Sequence, residues 1–244
     1  MSWRVTRAVT QRVLEQLRRD RRTLALILAV PCVLEFLLQQ LFGRNSPVFQ
    51  QVGPPLLGLF PFITMFLVTS ITMLRERTAG TLERLMTMPL HKIDLLAGYG
   101  IAFALLAVVQ ATLVSVLAFA LLGLDVAGPK WVVLPLAVAN AVLGSTLGLF
   151  VSAFAQTEFQ AVQFMPALVL PQILLCGLIV ARAEMATWLR VISFVLPLSY
   201  AYDALARTAA DNIDARFALD VAVVCACIAL ALAFGAATLR RRTD

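Results

Sequence analysis

Histidine is almost missing from this sequence. His91 stands alone among 244 residues, so no metal site built from several imidazoles can form. Charge is scarce as well: only 14% of residues are Asp, Glu, Lys or Arg, against about a quarter in a soluble domain. The four cysteines, Cys32, Cys176, Cys225 and Cys227, all lie inside apolar runs. There they read as small packed hydrophobes, not as a disulfide framework. Cys225 and Cys227 are two residues apart, which puts them on different faces of a helix and makes them poor joint ligands. No Gly-x-x-x-x-Gly-Lys-Ser/Thr string occurs, so these residues offer no P-loop for nucleotide phosphates. No zinc or aspartyl-dyad motif appears either.

What fills the sequence is hydrocarbon. The apolar fraction is 61% and the mean hydropathy is +0.88, too much for one soluble core. Each membrane crossing needs about 20 apolar residues as helix, and only helices and closed barrels satisfy the backbone in lipid. Barrel strands would give short alternating segments. The apolar runs here are long and unbroken, so the expected fold class is an all-α polytopic membrane protein, a single transmembrane domain over 1–244. Six spans are expected at 23–42, 56–74, 96–122, 131–154, 161–181 and 217–239. Residues 43–55 read as a loop, being rich in Gly, Pro and polar residues. Residues 185–208 contain an apolar stretch broken by Arg190 and Pro197. It is too short to cross, and predicts a re-entrant helical hairpin before the last span.

Residues 1–22 hold seven arginines. At 100° per residue, Trp3, Val5, Val9, Val13, Leu14 and Leu17 share one half of the wheel, and Arg4, Arg7, Arg12, Arg18 and Arg19 the other. This predicts an amphipathic helix suited to a membrane interface. No small-x-small cleavage site follows the first span, which reads as an uncleaved anchor. Fourteen of the 20 lysines and arginines fall on the side that carries both chain ends. The positive-inside rule makes that side cytoplasmic, in a bacterial inner or plasma membrane. The same placement explains the net charge of +6 without a nucleic-acid surface.

The segment 75–94 is the most informative. Arg75 and Arg77 mark a span end, Gly80 and Thr81 are candidate N-cap positions, and Glu83 suits the first turn of a helix. Leu82, Leu85 and Met86 make one apolar face, and Pro89 ends it. Such a short helix has nothing of its own to bury against, and could lie on lipid, pack on this chain or dock in a groove of another protein. These residues, ERTAGTLERLMTMPL, resemble the cytoplasmic motif of the type-2 ABC exporter permeases, including the daunorubicin-exporter type. The match lies at Glu76, Gly80, Thr81, Glu83, Leu85, Thr87 and Pro89. The resemblance extends to the amphipathic start, the six spans and the late segment VLPLSYAYDALART. It implies a non-catalytic subunit of an ATP-driven exporter, with Glu76, Gly80, Thr81, Leu82, Glu83, Leu85, Met86 and Pro89 coupling to a separate ABC ATPase. That partner would bind ATP and Mg, so no cofactor is expected in this chain. It also implies a homodimer, or a heterodimer with a related chain, and a drug or lipid as substrate.

Polar residues within the spans are the remaining candidates. Glu35 lies mid-span with Gln39 on the same face. An intramembrane carboxylate is costly and faces a pore or a partner. Gln110, Asn140, Gln163 and Gln172 read as interhelical hydrogen-bond donors and acceptors. Gln156, Gln160 and Gln163 form a stripe entering the fifth span, and Pro166 and Pro171 are expected to bend it. The resemblance implies that the fifth span lines the subunit interface, which makes Glu35, Gln39, Gln160, Gln163 and Gln172 the candidate substrate path, with no metal site. A different class stays open: an ATP-independent carrier or channel with Glu35 in a proton relay. An intramembrane hydrolase is disfavoured, since Ser199 and His91 fall on opposite sides.

Overall fold

The computed structural model describes residues 3–44, 46–80 and 92–238. Ten α-helices, some extended by π turns, and no strand occur among them. Helix α1 (Trp3–Arg19) leads into α2 (Arg21–Phe42) and α3 (Pro47–Thr78). Helix α4 (Lys92–Val116) continues into a π turn at Leu117–Leu122, and α5 (Lys130–Val151) follows. Helix α6 (Glu158–Phe164), a π turn (Met165–Val169) and α7 (Leu170–Leu175) form the fifth span. Helices α8 (Thr187–Ser193) and α9 (Pro197–Ala209) make the hairpin, and α10 (Ala215–Thr238) closes the bundle. Six of these segments are long and apolar enough to cross a membrane, and α8 and α9 meet at 86°.

The centre of the bundle is α3 packed on α5, with α2, α4, α6 and α9 around α3 and α10 on the far side of α5. Small residues make the central contact possible. A Cβ added at Gly144 would fall inside contact distance of the Phe62 carbonyl oxygen, and one at Gly148 would meet that of Phe66. Four residues apart on α5, these glycines let two backbones touch, which is how helices associate where lipid is as apolar as leucine.

Two expected boundaries move. Residues 47–55, expected as loop, are the first turns of the 32-residue α3. Ser46 caps it by accepting from the Val48 amide at 3.2 Å, and Pro47 occupies a first-turn position that needs no amide donor. The interior Pro54, Pro55 and Pro61 are tolerated because surrounding helices support the backbone. At about 1.5 Å per residue, α3 is far longer than the hydrocarbon core. Its Gln50 reaches the loop after α4, donating to the Gly123 carbonyl at 3.1 Å and accepting from the Asp125 amide at 2.6 Å. The fifth span, expected to run to 181, stops at Leu175. Gly177 then turns with φ +107°, a conformation that costs glycine little. The π turn before it follows from Pro166 and Pro171, which remove two amide donors from the ladder.

The amphipathic start forms a helix as expected, and the bundle adds what covers its apolar face. Thr6, Val9, Thr10, Val13 and Leu17 of α1 are buried where the helix packs on α4. Val9 lies over Gly98, where a Cβ would collide, and the Thr10 hydroxyl donates to the Gly98 carbonyl at 3.1 Å. The helix wheel located the apolar face; α4 supplies what covers it.

Candidate functional site

At the end of the bundle that carries α1, the last turn of α3 is tied to two other helices. Glu76 is 4% exposed and accepts from Arg12 of α1 at 2.5 Å. The buried Tyr99 of α4 places its hydroxyl beside this pair. Burial works against the charge on Arg12, but the hydrogen bond and the negative charge of Glu76 outweigh it and hold the guanidinium protonated. This ion pair thus joins α1 to α3, with Tyr99 of α4 alongside. The preceding residue, Arg75, grips Glu158 of α6 with two nitrogens, at 2.8 and 3.0 Å. That pair is half exposed and contributes at most about 1 kcal/mol, but it links α3 to the start of the fifth span.

Helix α3 stops at Gly80, whose φ is +68°. The Ala79 amide reaches back to the Arg75 carbonyl at 2.9 Å and the Gly80 amide to that of Arg77 at 3.2 Å. This is a left-handed helix stop. Gly80 therefore ends the preceding helix, where the sequence suggested a cap for a following one. No atom would meet a Cβ there within 4 Å, so backbone conformation is the reason for glycine. Thr81, Leu82, Glu83, Leu85, Met86 and Pro89 lie outside the described residues.

The proposed path residues fall in separate places. Glu35 and Gln39 are both buried on one side of α2. Glu35 is 0% exposed and neither carboxyl oxygen has a hydrogen-bond partner. It faces Gly53 of α3, where a Cβ would stand 3.4 Å from Oε1. Gln39 accepts from the neighbouring Gln40 at 2.9 Å. Gln160 and Gln163 are exposed, and Gln160 is engaged at the start of α6. Its side chain accepts from the Gln156 amide at 2.8 Å, while its own amide donates to Thr157 Oγ1 at 3.2 Å. Thr157-x-x-Gln160 is close to a capping box, a signal readable in the sequence. Gln172 is buried and donates to the Leu168 carbonyl one turn back at 3.1 Å. Helix α2 packs on α3 and α4, whereas α7 packs on α8 and α9, so Glu35 and Gln172 do not share a wall.

Gln110 does join helices. Pro31 has no amide hydrogen, which leaves the Ile27 carbonyl without its usual partner in α2. Gln110 of α4 supplies one, donating at 2.7 Å, and also donates to Thr64 of α3 at 2.5 Å. At the hairpin end, two acid–base pairs went unnoticed in the sequence. Arg182 pairs with Asp203 of α9, and Arg207 of α9 approaches Asp220 of α10 at 3.2 Å. Asp203 and Arg207 are one turn apart, yet each reaches a different neighbour, which fastens the hairpin to the connection before it and to the span α10 after it. Oppositely charged residues spaced by four inside an apolar region were the available clue. Among the described residues, no group of three His, Cys, Asp or Glu side chains is placed to hold a metal ion.

The sequence of this chain is similar to those of known proteins. The family model described as ABC-2 type transporter matches residues 4–208. The chain is 25% identical over 169 residues to "Probable multidrug ABC transporter permease YbhR" of Escherichia coli K12, covering 69% of this chain and 46% of that protein. It is 24% identical over 161 residues to "ABC transporter G family member 20" of Dictyostelium discoideum, covering 66% of this chain and 22% of that protein. The chain thus spans less than half the length of either relative. A multi-pass helical bundle with a bent helix pair before its last span, matched by the family model from α1 through α9, belongs to the ABC-2 type transporter family.

Proposed function

We propose that this chain is the membrane-spanning permease subunit of an ATP-driven exporter, working with a separate ABC ATPase. The observation that carries the proposal is the junction at Glu76. There the residues leading into the segment 81–91 are rigidly joined to α1 through Arg12 and lie against α4 at Tyr99. A pull or push on that segment enters α3, and α3 is the helix on which α2, α4, α5, α6 and α9 all pack. Motion delivered at one end therefore reaches most of the bundle. The partner supplies ATP and Mg2+ binding and hydrolysis. This chain's own residues receive the displacement and move the spans. Two copies, or one copy and a related chain, enclose the path, and the apolar interior suits a hydrophobic or amphipathic molecule such as a drug or lipid.

The test is Leu85→Asp. In this reading Leu82, Leu85 and Met86 fill a groove in the ATPase, and truncating such an anchor commonly costs about 1–4 kcal/mol. The variant is expected to insert normally, to lose the ATPase in pull-downs and to stop substrate-stimulated hydrolysis. Glu83→Ala is expected to weaken coupling less, as a contact at the rim. A Leu85→Asp chain that binds the ATPase and transports like the parent would remove the coupling assignment.

One observation favours a second reading, an ATP-independent carrier with Glu35 in a proton relay. The carboxyl group is fully buried with both oxygens unpartnered, and intramembrane carboxylates of this kind mark ion pathways. Transport by Glu35→Gln at normal expression distinguishes the two. Unchanged ATP-driven transport leaves Glu35 a structural acid, and transport by the parent chain alone, driven by a pH gradient and abolished in Glu35→Gln, supports the carrier.

A further inference from the structure

The arginines of α1 and the start of α2 are more numerous than the bundle can use. Arg12 is paired with Glu76. Arg4, Arg7, Arg18, Arg19, Arg21 and Arg22 are exposed and have no ion-pair partner among the described residues. The two acids in this stretch are already engaged. Glu15 accepts from Gln11 at 3.0 Å. Asp20 caps α2, accepting from the Thr23 amide at 3.1 Å and its hydroxyl at 2.6 Å, bonds that hold its carboxyl below the usual range.

Geometry sharpens this excess into a stripe. The face containing Thr6, Val9, Val13 and Leu17 is buried on α4. Arg4, Arg7, Gln11 and Arg18 recur at spacings of three, four and seven, so they line the opposite face. Trp3, 67% exposed, and the half-buried Leu14 border the stripe. Tryptophan is enriched at the level of lipid headgroups, and α1 runs directly into the start of the span α2. Because the apolar face of α1 is already covered, the helix cannot sink deeply into lipid. What it offers outward is fixed positive charge at the membrane surface.

We propose that Arg4, Arg7 and Arg18 form a phosphate-recognising stripe for anionic phospholipid headgroups, held in register by the packing of α1 on α4. Guanidinium groups bind phosphate oxygens through two parallel hydrogen bonds. A stripe locked to the bundle loses little freedom on binding, unlike a free basic tail. The lipid then becomes part of the same junction, since Arg12 of this helix holds Glu76. The binding itself does not depend on the proposed coupling to an ATPase.

The experiment uses the full chain alone, in nanodiscs of phosphatidylcholine containing a minority of phosphatidylglycerol. Lipid carried through detergent extraction is quantified by mass spectrometry. The parent is expected to enrich phosphatidylglycerol over phosphatidylcholine, and raised salt is expected to reduce the enrichment. The triple variant R4Q/R7Q/R18Q is expected to lose it by about fivefold or more, each surface arginine being worth roughly that factor. R4K/R7K/R18K, which keeps the charge, is expected to retain most of it, and the single variant R7Q to lose a part. Equal enrichment in the parent and the glutamine triple variant overturns the proposal, as does a parent that shows no preference. If the triple variant keeps its lipid preference but no longer binds the ATPase, the stripe serves an acidic protein surface and the proposal falls.

Discussion

At the scale of single residues, two side chains do structural tasks that their neighbours in sequence cannot explain. Arg12 and Glu76 are 64 positions apart and meet because α1 folds back on the bundle. Removing one partner leaves a charge in a nearly buried place, which is costlier than removing both. Arg12→Ala is therefore expected to lower stability by about 2 kcal/mol, read as a lower melting temperature in detergent. Arg12→Met combined with Glu76→Met is expected to recover much of that stability while ATP-driven transport stays impaired. A double variant that transports normally would show the junction to be dispensable. Gln110 allows a cleaner test. Gln110→Leu leaves the Ile27 carbonyl unpaired and is expected to cost about 1 kcal/mol. Adding Pro31→Ala restores an amide donor within α2, so the double variant is expected to melt above the single one. Melting temperatures of the three chains decide it.

At the scale of elements, the closest approach is α3 on α5. Ridge-and-groove packing of bulky side chains would hold these helices apart, and Gly144 and Gly148 remove that spacing. Gly144→Ala forces a methyl group onto the Phe62 carbonyl, a backbone atom that cannot swing aside. The expected cost is about 1–3 kcal/mol, as for other overpacked cores. Gly100→Ala is the control, since its Cβ would meet only the Leu232 side chain at an ordinary 3.6 Å. Comparable melting temperatures for the two variants would show that α3 and α5 can separate without loss. The hairpin is the second element with a clear physical basis. Pro197 begins α9 where it needs no amide donor, and the charges of Asp203 and Arg207 fasten it outward to Arg182 and Asp220.

At the scale of the whole molecule, the charge pattern and the bundle agree on one polarity. Arg12, Arg75 and Glu76 meet at one end, and the hairpin and the Lys130–Asp125 pair stand at the other. The sequence assigns 14 of 20 basic residues to the α1 side, so that side is expected to face the cytoplasm. A cysteine-reactive, membrane-impermeant reagent is expected to spare a cysteine placed at Gln16 and to label one placed at Asp211 in intact cells. Labelling of the first and protection of the second would invert the polarity, and with it the side on which an ATPase could dock.

The sequence by itself determined the class of the molecule. Long apolar runs exclude a soluble core, proline breaks the late segment into a hairpin, and the motif around Glu76 and Gly80 indicates the family. Those features are local, and local hydrophobicity and dihedral preferences act without knowledge of the partner. Other matters were decided only by tertiary structure. An apolar stripe on α1 looks the same whether lipid or α4 will cover it, because both are apolar. Glu76 read as part of a surface motif, but a residue 64 positions away buries it. Gln160 read only as a path residue, and the structure adds that its side chain completes the start of α6. Residues 47–55 read as loop from their prolines and glycine, yet they continue α3 because the surrounding bundle supports a backbone that their propensities disfavour. In each case a polar group or a flexible backbone had several adequate partners in principle, and only the packed arrangement of distant helices selected one.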